Sequence, residues 1–270
     1  MSLTLPAHAH QSAAVPPAPR FTDLLRSEWV KLRTVRTTVW CLVATALTIV
    51  GAAVLVAVKA RSQGPRTIDV TVNVSHLGLM VGQLAVIVLA VTAIGSEYGT
   101  GTIRVSLGAA PWRTRWLAAK TVTVAALGLV TGTVLSIVCF ALVYLCTPAV
   151  SGSVTTPGVV RAVLGVGLYL CALSMLSLAV GAILRSTVGG IVAMFALVYV
   201  VPGVVALSPL RALERFLPAG ITPPNAGWTI MQVAPEWLGG LSPWAGFAVL
   251  CTWAAVAMAG AAWLLHTRDA

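Results

Sequence analysis

The sequence predicts an all-α polytopic membrane protein: six transmembrane helices preceded by an N-terminal amphipathic interface helix. Three observations carry this. Of 270 residues, 58% are hydrophobic and only 9% charged, against the roughly 25% charged residues of a soluble domain. The mean hydropathy is +0.94, so water cannot be the solvent for most of the chain. The apolar residues also gather into six uncharged runs, 38–58, 77–95, 121–145, 162–184, 188–207 and 244–265. Each is close to or longer than the ~20 residues needed to cross ~30 Å of hydrocarbon.

Residues 1–20 are rich in Ala, Pro and His and contain no hydrophobic core region. They predict a disordered cytosolic tail, not a signal peptide. Over Phe21–Thr37 the pattern turns helical: Phe21, Leu24, Leu25, Trp29, Leu32 and Val35 share one face, with Arg26, Arg33 and Thr37 opposite. Val30 and Arg36 break this pattern. Thr22 is placed to cap the helix, and Asp23 favours the positive end of its dipole. The expectation is an amphipathic helix lying on the lipid bilayer, its basic side chains near phosphates. Glu28 stands in the middle of the apolar stripe. It either pairs locally with Lys31, three residues on, or contacts another part of a protein.

The six spans form a transmembrane domain over 38–270, with an inner loop at 96–120 and an outer loop at 208–243. An even number of spans puts both termini on one side. With the N-terminus inside, the inner segments hold Arg20, Arg26, Lys31, Arg33, Arg36, Arg104, Arg113, Arg115, Lys120, Arg185 and Arg268. The outer segments hold Lys59, Arg61, Arg66, Arg161, Arg211 and Arg215. This excess of basic residues inside predicts cytosolic termini in the cell membrane. Trp244 and Trp263 bracket the last span, where interfacial aromatics belong.

In the outer loops, residues 68–74 alternate apolar and polar, which is strand period, or else they form the frayed start of the second span. The 208–243 loop has six prolines and predicts two short helices, over 210–217 and 227–238, dipping into the membrane. Gly78 with Gly82 and Gly128 with Gly132 stand at spacings that permit close helix contact.

Several function classes are excluded or disfavoured. The net charge of +10 is scattered between spans instead of forming a patch, which argues against nucleic acid. The five cysteines lie in or beside apolar runs and imply no disulfide framework. The four histidines lack metal-ligand spacing. No Asp, Glu, Lys, Arg or His falls inside the six runs, so proton coupling is disfavoured. Sodium coupling through carbonyls and hydroxyls stays open, and Pro202-Gly203 is a candidate break in the fifth span without a counterpart in the first half. Ser136, Ser174 and Ser177 have no base in sight for a hydrolase. There is no GxxxxGK[ST] phosphate loop. The chain is not read as an enzyme, and any energy must come from a partner.

The segment Ser96–Lys120 is the natural receiver. Glu97 follows the second span, Gly99 and Gly101 are expected to break the helix, Pro111 marks a second break, and Arg113, Arg115 and Lys120 lead into the third span. The order Glu97, Gly101-Thr102-Ile103, Pro111, a basic pair and Lys120 resembles the type-2 ATP-binding-cassette (ABC) exporter permeases. The SEWVKLRTVRTTVW start at Ser27–Trp40 and the LSPW before the last span are similar to the same family. A merely positive connector is the alternative reading of the loop.

The resemblance implies a membrane subunit that pairs with a second permease copy, as a homo- or heterodimer, and with separate ABC ATPase subunits. ATP and magnesium would sit in that ATPase, with no cofactor bound by this chain. Phe21–Thr37 would be the connecting helix and roughly Thr102–Ala110 a cytosolic coupling helix. Glu28, Glu97, Gly101, Thr102, Arg104, Pro111, Arg113 and Arg115 would then serve coupling. The substrate cavity, formed in that family mainly by the second and fifth spans, would take in Gln83, Met194, Phe195 and Tyr199. Gln83 is the only Asn or Gln in any span and serves either as glue between helices or as a polar point on the path. The alternative function is a non-transporting scaffold or sensory protein.

Overall fold

A computed structural model of the protein describes residues 20–62, 64–102, 113–207, 223–233 and 242–267. Helices dominate these residues in the order α1 (Phe21–Thr34), α2 (Arg36–Arg61), α3 (Ile68–Ser75), α4 (Leu79–Gly99), α5 (Arg113–Cys146), α6 (Pro157–Leu184) and α7 (Thr187–Phe195). A π-helical turn at Ala196–Val200 continues α7 into α8 (Val201–Leu207). Then come α9 (Pro223–Trp228), a 3-10 turn at Thr229–Met231 and α10 (Pro243–Thr267). Among the described residues, six helices are long and apolar enough to cross a membrane, the fifth being the composite beginning at Thr187. The tail at residues 1–19 and the proposed helix at 210–217 lie outside the described residues.

The helices overrun the uncharged runs. With 34 residues, α5 is about 50 Å long at 1.5 Å per residue, so its first turns stand clear of the hydrocarbon. Those turns carry Arg113, Arg115 and Lys120. α6 is the centre of the bundle and is buried on most of its circumference. Its Tyr169, Leu170, Leu173 and Leu176 are fully buried, and the helix packs against α4, α5, α7 and α10. The glycine pairs are where backbones meet. A Cβ on Gly132 would lie 2.9 Å from the Gly167 Cα of α6, and one on Gly78 would lie 2.7 Å from the Ile49 Cα of α2. By contrast, Trp40, Leu47 and Leu55 of α2 and Trp244 and Trp263 of α10 point outward, as side chains facing lipid do.

Three expectations change. Residues 68–74 are helical, not extended. Ile68, Thr71, Val72 and Ser75 are the buried positions of α3, a spacing of three and four that the alternation had concealed. The two-residue strands Arg66–Thr67 and Val150–Ser151 pair in parallel just before it. Next, α1 stops at Thr34, where the Thr34 hydroxyl folds back onto the Val30 and Lys31 carbonyls. Val35 is extended, and α2 starts at Arg36. Finally, Pro202 does not interrupt the fifth span. Having no N–H to donate to the preceding turn, it stands two residues after the end of the π-helical turn, whose wider ladder accommodates the missing bond.

The short helix expected at 227–238 begins earlier, at Pro223. It docks into the bundle with Ala226, Thr229, Ile230 and Met231 buried. Gly165 of α6 lets the backbone approach: a Cβ there would stand 2.7 Å from the Ile230 carbonyl oxygen.

Candidate functional site

At the N-terminal side of the bundle an apolar cluster of Leu32, Leu89, Ile94, Trp116, Leu117 and Leu178 joins α1, α4, α5 and α6. Set into it are four charged side chains. α1 buries Glu28 and Leu32, one turn apart, so the helix faces the bundle through a carboxylate. α4 ends with Glu97 buried in its last turn. Lys120 lies two turns into α5 and is 2% exposed.

Lys120 Nζ donates to Glu28 Oε2 at 2.6 Å, Glu97 Oε1 at 2.8 Å and the Ala93 carbonyl at 3.0 Å. An ammonium has three donors, and all three are used. Its charge also lies 5.3 Å from the centre of the Trp116 ring, within cation–π range. Lys31 Nζ donates to Glu28 Oε1 at 2.7 Å and Glu97 Oε1 at 3.0 Å. Burial pulls the Lys31 ammonium toward deprotonation, but its bonds to Glu28 and Glu97 outweigh this and raise its pKa above the ordinary lysine value. The four groups sum to zero charge and tie together α1, α4 and α5. Both readings of Glu28 are therefore realised: the local pair with Lys31 and the distant contact, which is to Lys120 of the same chain.

The other predicted coupling residues separate. Gly99 is the last residue of α4, not a break. Gly101 makes the turn, with φ of 69°, a left-handed conformation that glycine adopts without penalty. Thr102 is exposed, and its hydroxyl hydrogen-bonds the Thr100 hydroxyl at 2.7 Å. Arg113 Nη1 donates to the Leu265 carbonyl at 2.6 Å, tying the start of α5 to the end of α10. Arg115 is exposed. Arg104, Pro111 and most of the expected Thr102–Ala110 helix lie outside the described residues.

The proposed substrate-path residues form a second group. Tyr169 donates to Gln83 Oε1 at 2.6 Å, and Gln83 Nε2 donates to the Tyr199 hydroxyl at 3.1 Å. That hydroxyl in turn donates to the Met80 carbonyl. Gln83 is 4% exposed, and both ends of its amide hold helices together: α4, α6 and the π-helical turn. Met194 is fully buried, whereas Phe195 is exposed and packs beside Tyr199 with ring centres 5.3 Å apart. Tyr169 escaped sequence reasoning, although a tyrosine within a span needs a partner for its hydroxyl.

Sequence reasoning also missed His76. Its Nε2 stands 2.9 Å from the Ser136 hydroxyl, so Ser136 has a base beside it after all. Both residues are buried, at 4% and 1% exposure, and no carboxylate is in hydrogen-bond contact with the imidazole among the described residues. The pair is a packing contact between the α3–α4 turn and α5. Burial pushes the His76 pKa down to about 4.

Six membrane-length helices among the described residues, α6 the most buried of them, define a polytopic membrane protein. Residues 24–203 match a family model described as ABC-2 family transporter protein. The match covers two thirds of the chain, from α1 through the π-helical turn, and includes all four charges. The chain belongs to the ABC-2 transporter membrane family. A search of curated proteins finds no match.

Proposed function

We propose that the chain is the permease subunit of an ABC-type exporter and that the four-charge cluster is the joint through which a separate ATPase moves it. In this reading two copies form the substrate pathway, the termini and the 103–112 loop face the cytosol, and the ATPase engages that loop. Family membership supports the transporter class. The observation that carries the coupling role is Lys120, which binds Glu28 of α1 and Glu97 of α4 at once. Glu97 stands five residues before Thr102, where the loop begins. The loop joins α4 to α5, and both helices meet α1 in this cluster, so a displacement of the loop has a route to α1 through it. Lys120, with three fixed acceptors and no spare donor, transmits such a displacement stiffly. Glu28 and Glu97 then act by holding helices in register, while the loop itself meets the ATPase. The fully bonded Gln83 gives the second and fifth spans a fixed polar contact beside the pathway.

The test is co-purification of the chain with a span-free ABC ATPase encoded beside it, followed by ATP turnover of the complex. A stable complex whose turnover falls in Glu28→Gln supports the assignment. Failure to recover any ATPase favours a membrane scaffold.

A further inference from the structure

The last turns of α4 carry a second contact face besides the one that bears Glu97. Val91, Ile94, Gly95 and Tyr98 follow one another at helical spacing, in a stripe centred about 110° round the helix from Glu97. This stripe meets the turn between α6 and α7. A Cβ on Gly190 of α7 would lie 2.7 Å from Val91 Cγ1, and one on Gly181 of α6 would lie 3.1 Å from Ile94 Cγ2. A Cβ on Gly95 would stand 2.9 Å from the Thr187 Cα, at the first residue of α7. The head of the fifth span therefore rests on the end of α4 with almost no side chain between them, and such close packing passes strain on instead of absorbing it.

The turn itself is short and unusual. Arg185 and Ser186 alone join α6 to α7, and Ser186 caps α7 by accepting from the Gly189 N–H at 3.1 Å. Arg185 has φ of 52° and ψ of 22° and is the one non-glycine residue with positive φ among the described residues. Helices commonly end in this left-handed conformation, but on glycine, because a Cβ makes it costly. What arginine adds here is its side chain. The guanidinium carbon lies 5.6 Å from the centre of the Tyr98 ring, within cation–π range. The Tyr98 hydroxyl is buried without a hydrogen-bond partner among the described residues, so it is the ring of Tyr98 that the contact uses.

We propose that Tyr98 and Arg185 are positioning residues that latch the head of the fifth span onto the end of α4, so that a displacement of the 103–112 loop passes to the fifth span as well as to α1 and α5. The proposal rests on the permease reading above and adds to it the residues through which the fifth span is reached.

The experiment is backbone hydrogen exchange of the full chain, reconstituted in nanodiscs with the proposed ATPase, with and without a non-hydrolysable ATP analogue. In the parent the analogue should change exchange at 96–102, the end of α4, and at 185–190, the head of the fifth span. Tyr98→Leu removes the ring, and Arg185→Gly removes the guanidinium while accepting the left-handed backbone without strain. Each should leave the response at 96–102 in place and reduce that at 185–190 by about threefold, the worth of one partly exposed cation–π contact. Tyr98→Phe keeps the ring and should respond as the parent does. If 96–102 responds but 185–190 does not, or if 185–190 responds undiminished in Tyr98→Leu and Arg185→Gly, the latch is overturned and the coupling reading stands. An equal loss in Tyr98→Phe and Tyr98→Leu also overturns it, because the ring contact would then not be what transmits. A parent complex with no response at 96–102 overturns the coupling reading and the latch together.

Discussion

Lys120→Met is the most informative single change in this protein. It keeps the length and volume of the side chain and removes only the ammonium. Glu28 and Glu97, both buried, are then left facing one another with Lys31 as their one cation among the described residues. Removing one partner of a buried ion pair costs roughly 3–5 kcal/mol. Lys31 offers the internal control, because it bonds the same two carboxylates from a side chain that is 45% exposed. Exposed pairs contribute only ~0–1 kcal/mol, so Lys31→Met should cost about 1 kcal/mol or less. The assay is denaturant unfolding of the purified chain in lipid nanodiscs, comparing both variants with the parent. A gap of about 3 kcal/mol between them follows from the burial of Lys120. Equal losses would show that depth in the cluster does not set its energetics, and the reasoning would be wrong. Adding Glu97→Gln to Lys120→Met should cost less than the sum of the single changes, by about 0.5–3 kcal/mol, because the two groups are in contact.

Gln83→Leu leaves the Tyr169 and Tyr199 hydroxyls without their amide partner. A loss of about 1–3 kcal/mol follows for the fully buried Tyr169, read as a lower thermal midpoint that Tyr169→Phe in the same chain partly restores. His76 is held neutral by burial, with its pKa at about 4. Below an ordinary histidine pKa near 6.5 the unfolded chain gains a proton that the folded chain refuses, so stability falls with acidification through the window from about 6.5 to about 4. The slope is about 1.4 kcal/mol per pH unit and the total ~3 kcal/mol. Thermal midpoints at pH 7 and pH 4.5 should diverge for the parent, and the gap should shrink in His76→Asn.

The spans were legible because hydrocarbon imposes length and composition directly: six apolar runs became six membrane-length helices. The glycine pairs were legible for a related reason, since only a missing side chain permits the contacts of Gly78 and Gly132. Residues 68–74 misled because apolar alternation in a short segment also fits a helix whose buried residues include Thr71 and Ser75. Glu28 stood out as a charge within an apolar stripe, and Glu97 and Lys120 as charges at the edges of apolar runs. Their meeting did not, because it joins positions 92 and 23 residues apart in sequence and depends on how three helices converge. The His76–Ser136 pair, 60 residues apart, was hidden for the same reason, and so was the bond from Tyr169 to Gln83.

The proposed joint is tested most directly by ATP turnover in a reconstituted complex of this chain with the proposed ATPase partner. Parent and Glu97→Gln should be compared at matched folding and matched complex yield. Glu97→Gln removes the charge that holds both lysines at the end of α4 while keeping the side chain's shape. The account predicts that the complex still forms but that its permease-dependent turnover drops by about tenfold or more, a loss of at least ~1.4 kcal/mol in the coupled step. Unchanged turnover in a fully assembled Glu97→Gln complex would contradict it and reduce the cluster to a structural clasp.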